Sequence, residues 1–98
     1  MFELIASGIM CATVYGGNVP AHEYYNFTAG VGRITDVTGD GLVSVFDIPN
    51  GEPIGRLQDE TTVDTNQWAY DSNCHLWIGT PSGWVHGSGI ILSGVEWY

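Results

Sequence analysis

The sequence predicts an all-β fold, and two features of its composition carry that prediction. Fourteen glycines and four prolines interrupt every apolar run before a helix of ordinary length could form. Between these interruptions Val, Ile, Thr, Tyr and Trp dominate, and such side chains fit the pleated, half-buried surface of a sheet. A chain of 98 residues is long enough for one domain of this kind.

Short runs bounded by turn residues define the predicted strands in chain order. We predict strands over residues 2–7, 9–15, 24–28, 32–37, 42–48, 55–58, 61–64, 67–70, 76–80, 83–85 and 95–98. Glycines in the segments 16–18 and 39–41 supply positive φ angles, and Pro49-Asn50-Gly51 favours a tight reversal. Apolar residues on both sides of the run 42–48 predict a strand partly covered on both faces. Further core candidates are Ile54, Leu57, Val63, Trp77 and Val85.

The charge of the chain restricts its partners. Eleven carboxylates face only Arg33 and Arg56, which gives a formal charge of −9. Such a chain cannot bind nucleic acid by releasing counterions from phosphates, and anionic lipid would repel it. The expected partners are therefore a basic protein surface, another copy of the chain or divalent cations, with no nucleic acid and no membrane.

The apolar opening of the chain is too short to cross a bilayer, because about a dozen apolar residues are interrupted by Gly8. It also carries Glu3 and lacks a basic start, so it does not have the pattern of a signal peptide. We therefore expect a cytoplasmic or virion-associated protein. Cys11 and Cys74 are too few for a disulfide framework and are expected to be buried thiols, with a disulfide as the alternative if the protein is secreted.

The stretch "DVTGDGLVSVFD", residues 36–47, has the spacing of a helix-flanked calcium loop, with Asp36, Asp40 and Asp47 at positions 1, 5 and 12. It resembles the dockerin-type repeat, but the second copy and the flanking helices of that family are missing. Two prolines and a glycine after Asp47 exclude the helix that would support its carboxylate. We therefore predict an Asp-rich turn whose carboxylates accept local backbone hydrogen bonds, and keep calcium as a minor alternative.

Residues 32–91 resemble the bacterial Src-homology-3-like domain. The resemblance rests on the Gly-x-Ile-Thr opening at Gly32–Thr35, on "DGLVSV", "PNGEPIGRL" and Trp68, and most specifically on "SGWVHGSGI" near the end. It implies a small β-barrel over residues 31–98, with a helical turn before Ile90. Where the family has an Arg-Ser-Gly-Pro turn, this chain has Phe46-Asp47-Ile48-Pro49, and its acidity differs from the basic members that hold cell walls.

Residues 1–30 match nothing in that family and are predicted to form a β-rich arm. So small a barrel has little stability to spare, so we expect the arm to pack on it or on a neighbouring subunit. The arm residues expected to pack are Phe2, Leu4, Ile5, Ile9 and Val14. Phe2 and Leu4, with Trp97 and Tyr98 at the other end, are the candidate interface residues.

No catalytic motif is recognisable, so we predict a non-enzymatic protein that needs no cofactor. His22, His75 and His86 do not have a metalloenzyme spacing, and Cys74 and His75 are adjacent, so they point to opposite faces of a strand. The aromatic residues exceed what a core of this size can hold. We therefore predict an aromatic ligand-binding groove at Trp68, Tyr70 and Trp84, with Tyr25 as a weaker member. The alternative is that Trp77 and Trp84 are core residues.

Three functions are compatible with these features. The first is a protein interaction module, most concretely a small structural or accessory protein of a phage virion or bacterial surface assembly. The second is an acidic inhibitor or decoy of a basic nucleic-acid-handling protein, favoured by the charge. The third is a cell-wall (peptidoglycan) binding module. The salt dependence of binding distinguishes the first two, because an electrostatic decoy loses affinity steeply as ionic strength rises and an apolar contact does not.

Overall fold

The computed structural model describes residues 9–13, 17–27 and 30–93, and this part of the chain is all-β, as predicted. A 3₁₀ turn at Gly87–Gly89 lies between the last two strands, and no α-helix occurs in the described residues. The strands are β1 Met10–Ala12, β2 Asn18–Pro20, β3 Tyr25–Asn26, β4 Val31–Ile34, β5 Leu42–Phe46, β6 Pro53–Gln58, β7 Thr62–Asp64, β8 Gln67–Tyr70, β9 Leu76–Thr80, β10 Gly83–His86 and β11 Ile90–Ser93. No helix in this part of the chain could span a membrane.

The described strands form three antiparallel sheets. The largest has the order β3-β8-β9-β10-β5-β6, the second has the order β11-β4-β7, and β1 pairs with β2. β8, β9 and β10 follow one another as a meander, with Trp77 opposite both Ala69 and His86. The three sheets do not close into a barrel over the described residues, so the predicted barrel is not found there.

Most predicted strands are present, and the differences lie at weakly patterned segments. β8 and β9 have the predicted bounds. The predicted turn covered residues 16–18 and residues 19–20 were left unassigned, but Asn18–Pro20 forms β2 and pairs with β1. The backbone N–H of Thr13 donates to the Gly17 carbonyl at 2.8 Å at the start of this pairing. β11, Ile90–Ser93, was not among the predicted strands, although the turn before it was expected. The strands predicted over 2–7 and 95–98 lie outside the described residues.

One core joins the two larger sheets. Ile34 of β4 and Ile90 of β11 pack in one cluster with residues from the six-stranded sheet, namely Val45, Trp68, Tyr70, Ile78 and Val85. Of the predicted core residues, Trp77 and Val85 are buried, and Leu57 and Val63 are half-buried. Ile54 is 58% exposed, so its assignment to the core was wrong. It lies on β6, the outermost strand of its sheet, where a side chain lacks neighbours on one side.

The described part of the N-terminal segment contacts the larger sheets. Phe27 belongs to their core, the ring of Tyr25 stacks on Trp68 at 4.6 Å, and the backbone N–H of His22 donates to the Tyr70 carbonyl at 2.8 Å. Ile9, which was expected to pack, is 47% exposed. The other arm residues expected to pack, Phe2, Leu4, Ile5 and Val14, lie outside the described residues, as do Trp97 and Tyr98.

A disulfide joins Cys11 of β1 to Cys74, so the prediction of buried free thiols was wrong. The two Cα atoms are 5.2 Å apart, within the ordinary range for such a bridge. The β1–β2 hairpin places Cys11 beside the turn between β8 and β9, where Cys74 has a positive φ of 60°. The bridge spans 63 residues of sequence, so local pattern could not reveal it.

Candidate functional site

The aromatic residues predicted to line a ligand groove are mostly interior. Trp68 is fully buried, Tyr70 is 4% exposed and Trp84 is 8% exposed, while Tyr25 is half-buried. The expectation that these rings face outward was therefore wrong for the first three. Both faces of the meander are covered, so Trp68 and Tyr70 pack on one face, and Trp84 packs with Trp77 on the other. The alternative, that Trp77 and Trp84 are core residues, describes their positions.

An open groove of about 240 Å³ lies elsewhere, between the loop 35–41 and the 3₁₀ turn. β5 forms its floor, since Leu42, Val43 and Phe46 are half-buried there. The remaining lining residues are Thr35, Asp36, Val37, Thr38, Asp40, Ser44, His86, Ser88 and Gly89. The groove therefore combines an apolar floor, a carboxylate-bearing wall and an opposite wall of histidine and serine.

Asp36 builds the acidic wall. Its carboxylate accepts hydrogen bonds from the backbone N–H groups of Thr38, Gly39 and Gly41 at 2.8, 2.9 and 2.7 Å, and from the Thr38 hydroxyl at 2.8 Å. These bonds, led by that from Gly41, lower the pKa of Asp36 below its ordinary value. This is the predicted Asp-rich turn, and the positive φ angles of Gly39 and Gly41, 95° and 79°, let the chain wrap around the carboxylate.

Asp40 is held differently and is exposed. Its Oδ1 accepts from the backbone N–H of Leu42 at 3.0 Å and from the Thr38 hydroxyl at 3.1 Å. No hydrogen bond reaches its Oδ2 within the described part of the chain. Asp59 adds a third carboxylate beside the loop by accepting the backbone N–H of Asp36 at 2.8 Å. Asp40 therefore offers a free carboxylate oxygen at the acidic end of the groove.

The calcium alternative does not agree with this arrangement. Asp47 lies beyond the far end of β5, where its Oδ1 accepts the backbone N–H groups of Ile48 and Glu52 at 2.8 and 2.9 Å. A five-residue strand separates it from Asp40, a span of roughly 16 Å at the usual rise of an extended chain. Asp36, Asp40 and Asp47 therefore cannot share one ion, and no cluster of three or more metal-binding side chains occurs in the described residues.

His86 forms the opposite wall. Its Nδ1 accepts the backbone N–H of Ser88 at 3.2 Å and lies 2.8 Å from the Ser88 hydroxyl, so the imidazole caps the 3₁₀ turn. The rings of Trp77 and His75 are 5.1 and 5.3 Å away. Burial lowers the pKa of His86, the nearby His75 lowers it further, and the charge of Asp71 acts in the opposite direction.

Asp71 supports this wall from inside the protein. Its Oδ2 accepts the indole N–H of Trp77 at 2.9 Å, and its Oδ1 accepts the backbone N–H groups of Asn73 and His75 at 2.9 and 3.0 Å. Burial by itself would raise the pKa of Asp71, but these hydrogen bonds and the charge of His75 lower it below the ordinary value. The carboxylate therefore fixes the turn between β8 and β9 and the orientation of Trp77 behind His86.

Comparison with known proteins assigns no family to this chain. No protein-family model matches it, and no curated protein or solved structure matches it either. The functional argument therefore rests on the groove and its charges. The sequence signals for the groove were the Asp-Gly loop at 36–41 and the run His86-Gly87-Ser88, but they lie far apart in the chain. They are brought together by the pairing of β5 with β10 and of β4 with β11, and by the backbone N–H of Thr35, which donates to the Gly89 carbonyl at 3.0 Å.

Proposed function

We propose that this chain is a non-enzymatic protein interaction module, and that the groove receives a segment of another protein that carries a cationic side chain beside an apolar one. The observation that carries the proposal is the pairing of an apolar floor with a free carboxylate oxygen on Asp40 in one groove. A bound cationic side chain would lie at Asp40, and its apolar neighbour would cover Leu42, Val43 and Phe46.

The size of the groove supports side chains as its ligands. About 240 Å³ is below the usual range of small-molecule and cofactor sites, which are roughly 300–1,000 Å³. It is enough for one or two side chains presented by an extended backbone. Val37, 69% exposed at the rim, adds apolar surface that such a segment would cover. Because burial of apolar surface contributes about 25 cal/mol per Å² to the free energy of association, covering Val37 would strengthen binding.

The charge of the whole chain favours a basic partner. Its formal net charge is −9, and one of its two arginines, Arg33, is paired with Glu60 at 3.0 Å. A field of this sign attracts a cationic segment from a distance and orients it before contact. The same charge favours the second candidate, an acidic inhibitor or decoy of a basic nucleic-acid-handling protein.

The Src-homology-3-like relationship remains part of the proposal. The resemblance implied a helical turn before Ile90, and the 3₁₀ turn Gly87–Gly89 has that place. After it, β11 returns to pair with β4, with Ile90 opposite Ile34. These features support the relationship. The proposed setting is a small structural or accessory protein of a phage virion or bacterial surface assembly; a role in binding cell walls is less favoured, because anionic wall polymers would be repelled.

The test uses an array of synthetic peptides that place one arginine next to one leucine or tryptophan, followed by backbone NMR titration of the best binder. We expect shifts at residues 35–46 and 86–89. Asp40→Asn should weaken binding about tenfold, since it removes a charge-assisted contact. The control is Asp64→Asn, which changes the net charge equally but lies on β7, away from the groove.

Two results would contradict the proposal that the segment binds in the groove. If Asp40→Asn and Asp64→Asn weaken binding equally, and affinity falls steeply with salt, the chain acts through its overall charge, as a decoy does. If shifts occur only outside the groove, the segment binds at another surface. A peptide in which arginine is replaced by glutamate should not bind in either case, and it serves as the control for charge.

A further inference from the structure

We propose that His86 gates the groove by pH, so that the groove accepts a cationic segment at neutral pH and rejects it in mild acid. The gate deepens the proposed function and rests on it for the partner. Its structural part, a protonation-dependent cap on the 3₁₀ turn, does not depend on any partner. The two parts can therefore be tested separately.

The cap requires an unprotonated Nδ1. The backbone N–H of Ser88 donates to that nitrogen at 3.2 Å, and a nitrogen can accept only through its free lone pair. When Nδ1 gains a proton it becomes a donor and can bond only to the Ser88 hydroxyl, 2.8 Å away. The Ser88 N–H then loses its partner at the start of the turn. Protonation therefore loosens the 3₁₀ turn that forms one wall of the groove.

The groups around His86 determine the pH at which its imidazole is protonated. The turn between β8 and β9 contributes His75, with ring centres 5.3 Å apart, and the carboxylate of Asp71. Across the groove, the loop 35–41 contributes Asp36 and Asp40. Burial and the charge of His75 outweigh Asp71, so the pKa of His86 lies below its ordinary value of 6.5. The imidazole is therefore neutral at pH 7 and becomes charged only in acid.

A charged imidazole changes what the groove can bind. An imidazolium in the groove repels a cationic side chain that enters it. This repulsion reduces the affinity for a cationic segment. The hydrogen bonds that Asp36 accepts lower its pKa below the ordinary value of 3.8. The His86→Asn variant tests whether the loss of affinity comes from His86.

The experiment follows the histidine Cε1–H signals and the Ser88 amide by NMR from about pH 8 to about pH 5, and measures peptide affinity over the same range. We expect the Ser88 amide to shift together with His86. We also expect peptide affinity to fall about tenfold toward acid. In His86→Asn the amide oxygen replaces Nδ1 as the cap without titrating, so both the shift of the Ser88 amide and the fall in affinity toward acid should vanish.

His22→Asn is the matched control, since His22 is exposed with a φ of 68°, a conformation that Asn tolerates. It should retain the full pH dependence. If the chemical shift of the Ser88 amide does not change while His86 titrates, the proposed gate is contradicted, whether or not a peptide binds. Unchanged pH dependence in His86→Asn would also contradict it. If no peptide binds at any pH while the Ser88 amide moves with His86, the proposed function fails and the structural switch stands.

Discussion

Asp71 is the residue whose side chain connects most of the structure behind the groove. It is 2% exposed, and its two oxygens accept three hydrogen bonds, from the Trp77 indole and from the backbones of Asn73 and His75. A buried carboxylate is tolerated only when it is paired in this way. Its removal would leave three donors without this acceptor, and the bond from the Trp77 indole is buried.

We therefore expect Asp71→Ala to lower the free energy of unfolding by about 3 kcal/mol, measured by chemical denaturation. Asp64→Ala, at an exposed carboxylate, should change it by less than about 0.5 kcal/mol. Because the folded pKa of Asp71 is lowered, its contribution is present above the ordinary value of 3.8 and is lost as pH falls through the lowered folded value. The two variants should then converge toward the wild type in strong acid. If Asp71→Ala and Asp64→Ala lower the free energy of unfolding equally at neutral pH, the stabilising role of Asp71 is contradicted.

The hairpin of β9 and β10 contributes residues to the hydrophobic clusters on both faces of the six-stranded sheet. Gly83 determines how closely this hairpin approaches β5. Its φ is 132°, and a Cβ there would lie 2.7 Å from the Phe46 carbonyl oxygen and 2.6 Å from a Val45 methyl group. Gly83→Ala should therefore lower the free energy of unfolding by about 2–3 kcal/mol, measured by thermal or chemical denaturation.

Gly55→Ala on β6 is the matched control. A Cβ at Gly55 has no neighbour within 4 Å, and its φ is not positive, so the same replacement should be nearly neutral. If Gly55→Ala lowers the free energy of unfolding as much as Gly83→Ala does, any added methyl group on these strands is destabilising. The close approach of β10 to β5 would then not be the cause.

Elements with strong local signals could be predicted from the sequence. Turn chemistry and β-branched runs placed β8, β9 and the loop around Asp36 correctly, since those choices depend on neighbours in the chain. Ile54 was misassigned because its pattern is apolar but its strand is at a sheet edge, a fact of topology. Trp68 and Trp84 were misassigned because aromatic abundance indicates that some rings are exposed, but not which ones.

At the scale of the whole molecule, the candidate site depends on contacts that no local pattern contains. The groove joins residues 35–46 to residues 86–89, and no local pattern predicts that Asp40 and His86 line the same groove. The Cys11–Cys74 bridge is also of this kind, because it spans 63 residues. Both follow from the antiparallel order of the strands, which brings distant segments together.

The bridge makes the stability of the whole chain sensitive to reductant. Closing a loop of 63 residues restricts the unfolded chain and stabilises the fold by about 4 kcal/mol in the loop-entropy description. Reduction should therefore move the urea midpoint downward by a large fraction of the stability expected of so small a domain. The β1–β2 hairpin should also lose amide protection first, since the bridge holds Cys11 against the turn between β8 and β9.

The double variant Cys11→Ala, Cys74→Ala should match the reduced protein and should not respond to reductant, which controls for effects of the reductant itself. Mass measurement of alkylated thiols verifies that the bridge has opened. An unchanged midpoint in protein with two alkylated thiols would mean that the core formed by Ile34, Trp68 and Ile78 holds the N-terminal hairpin without covalent help. In that case Phe27 and Tyr25, which pack on that core, would be the contacts that fix the N-terminal segment.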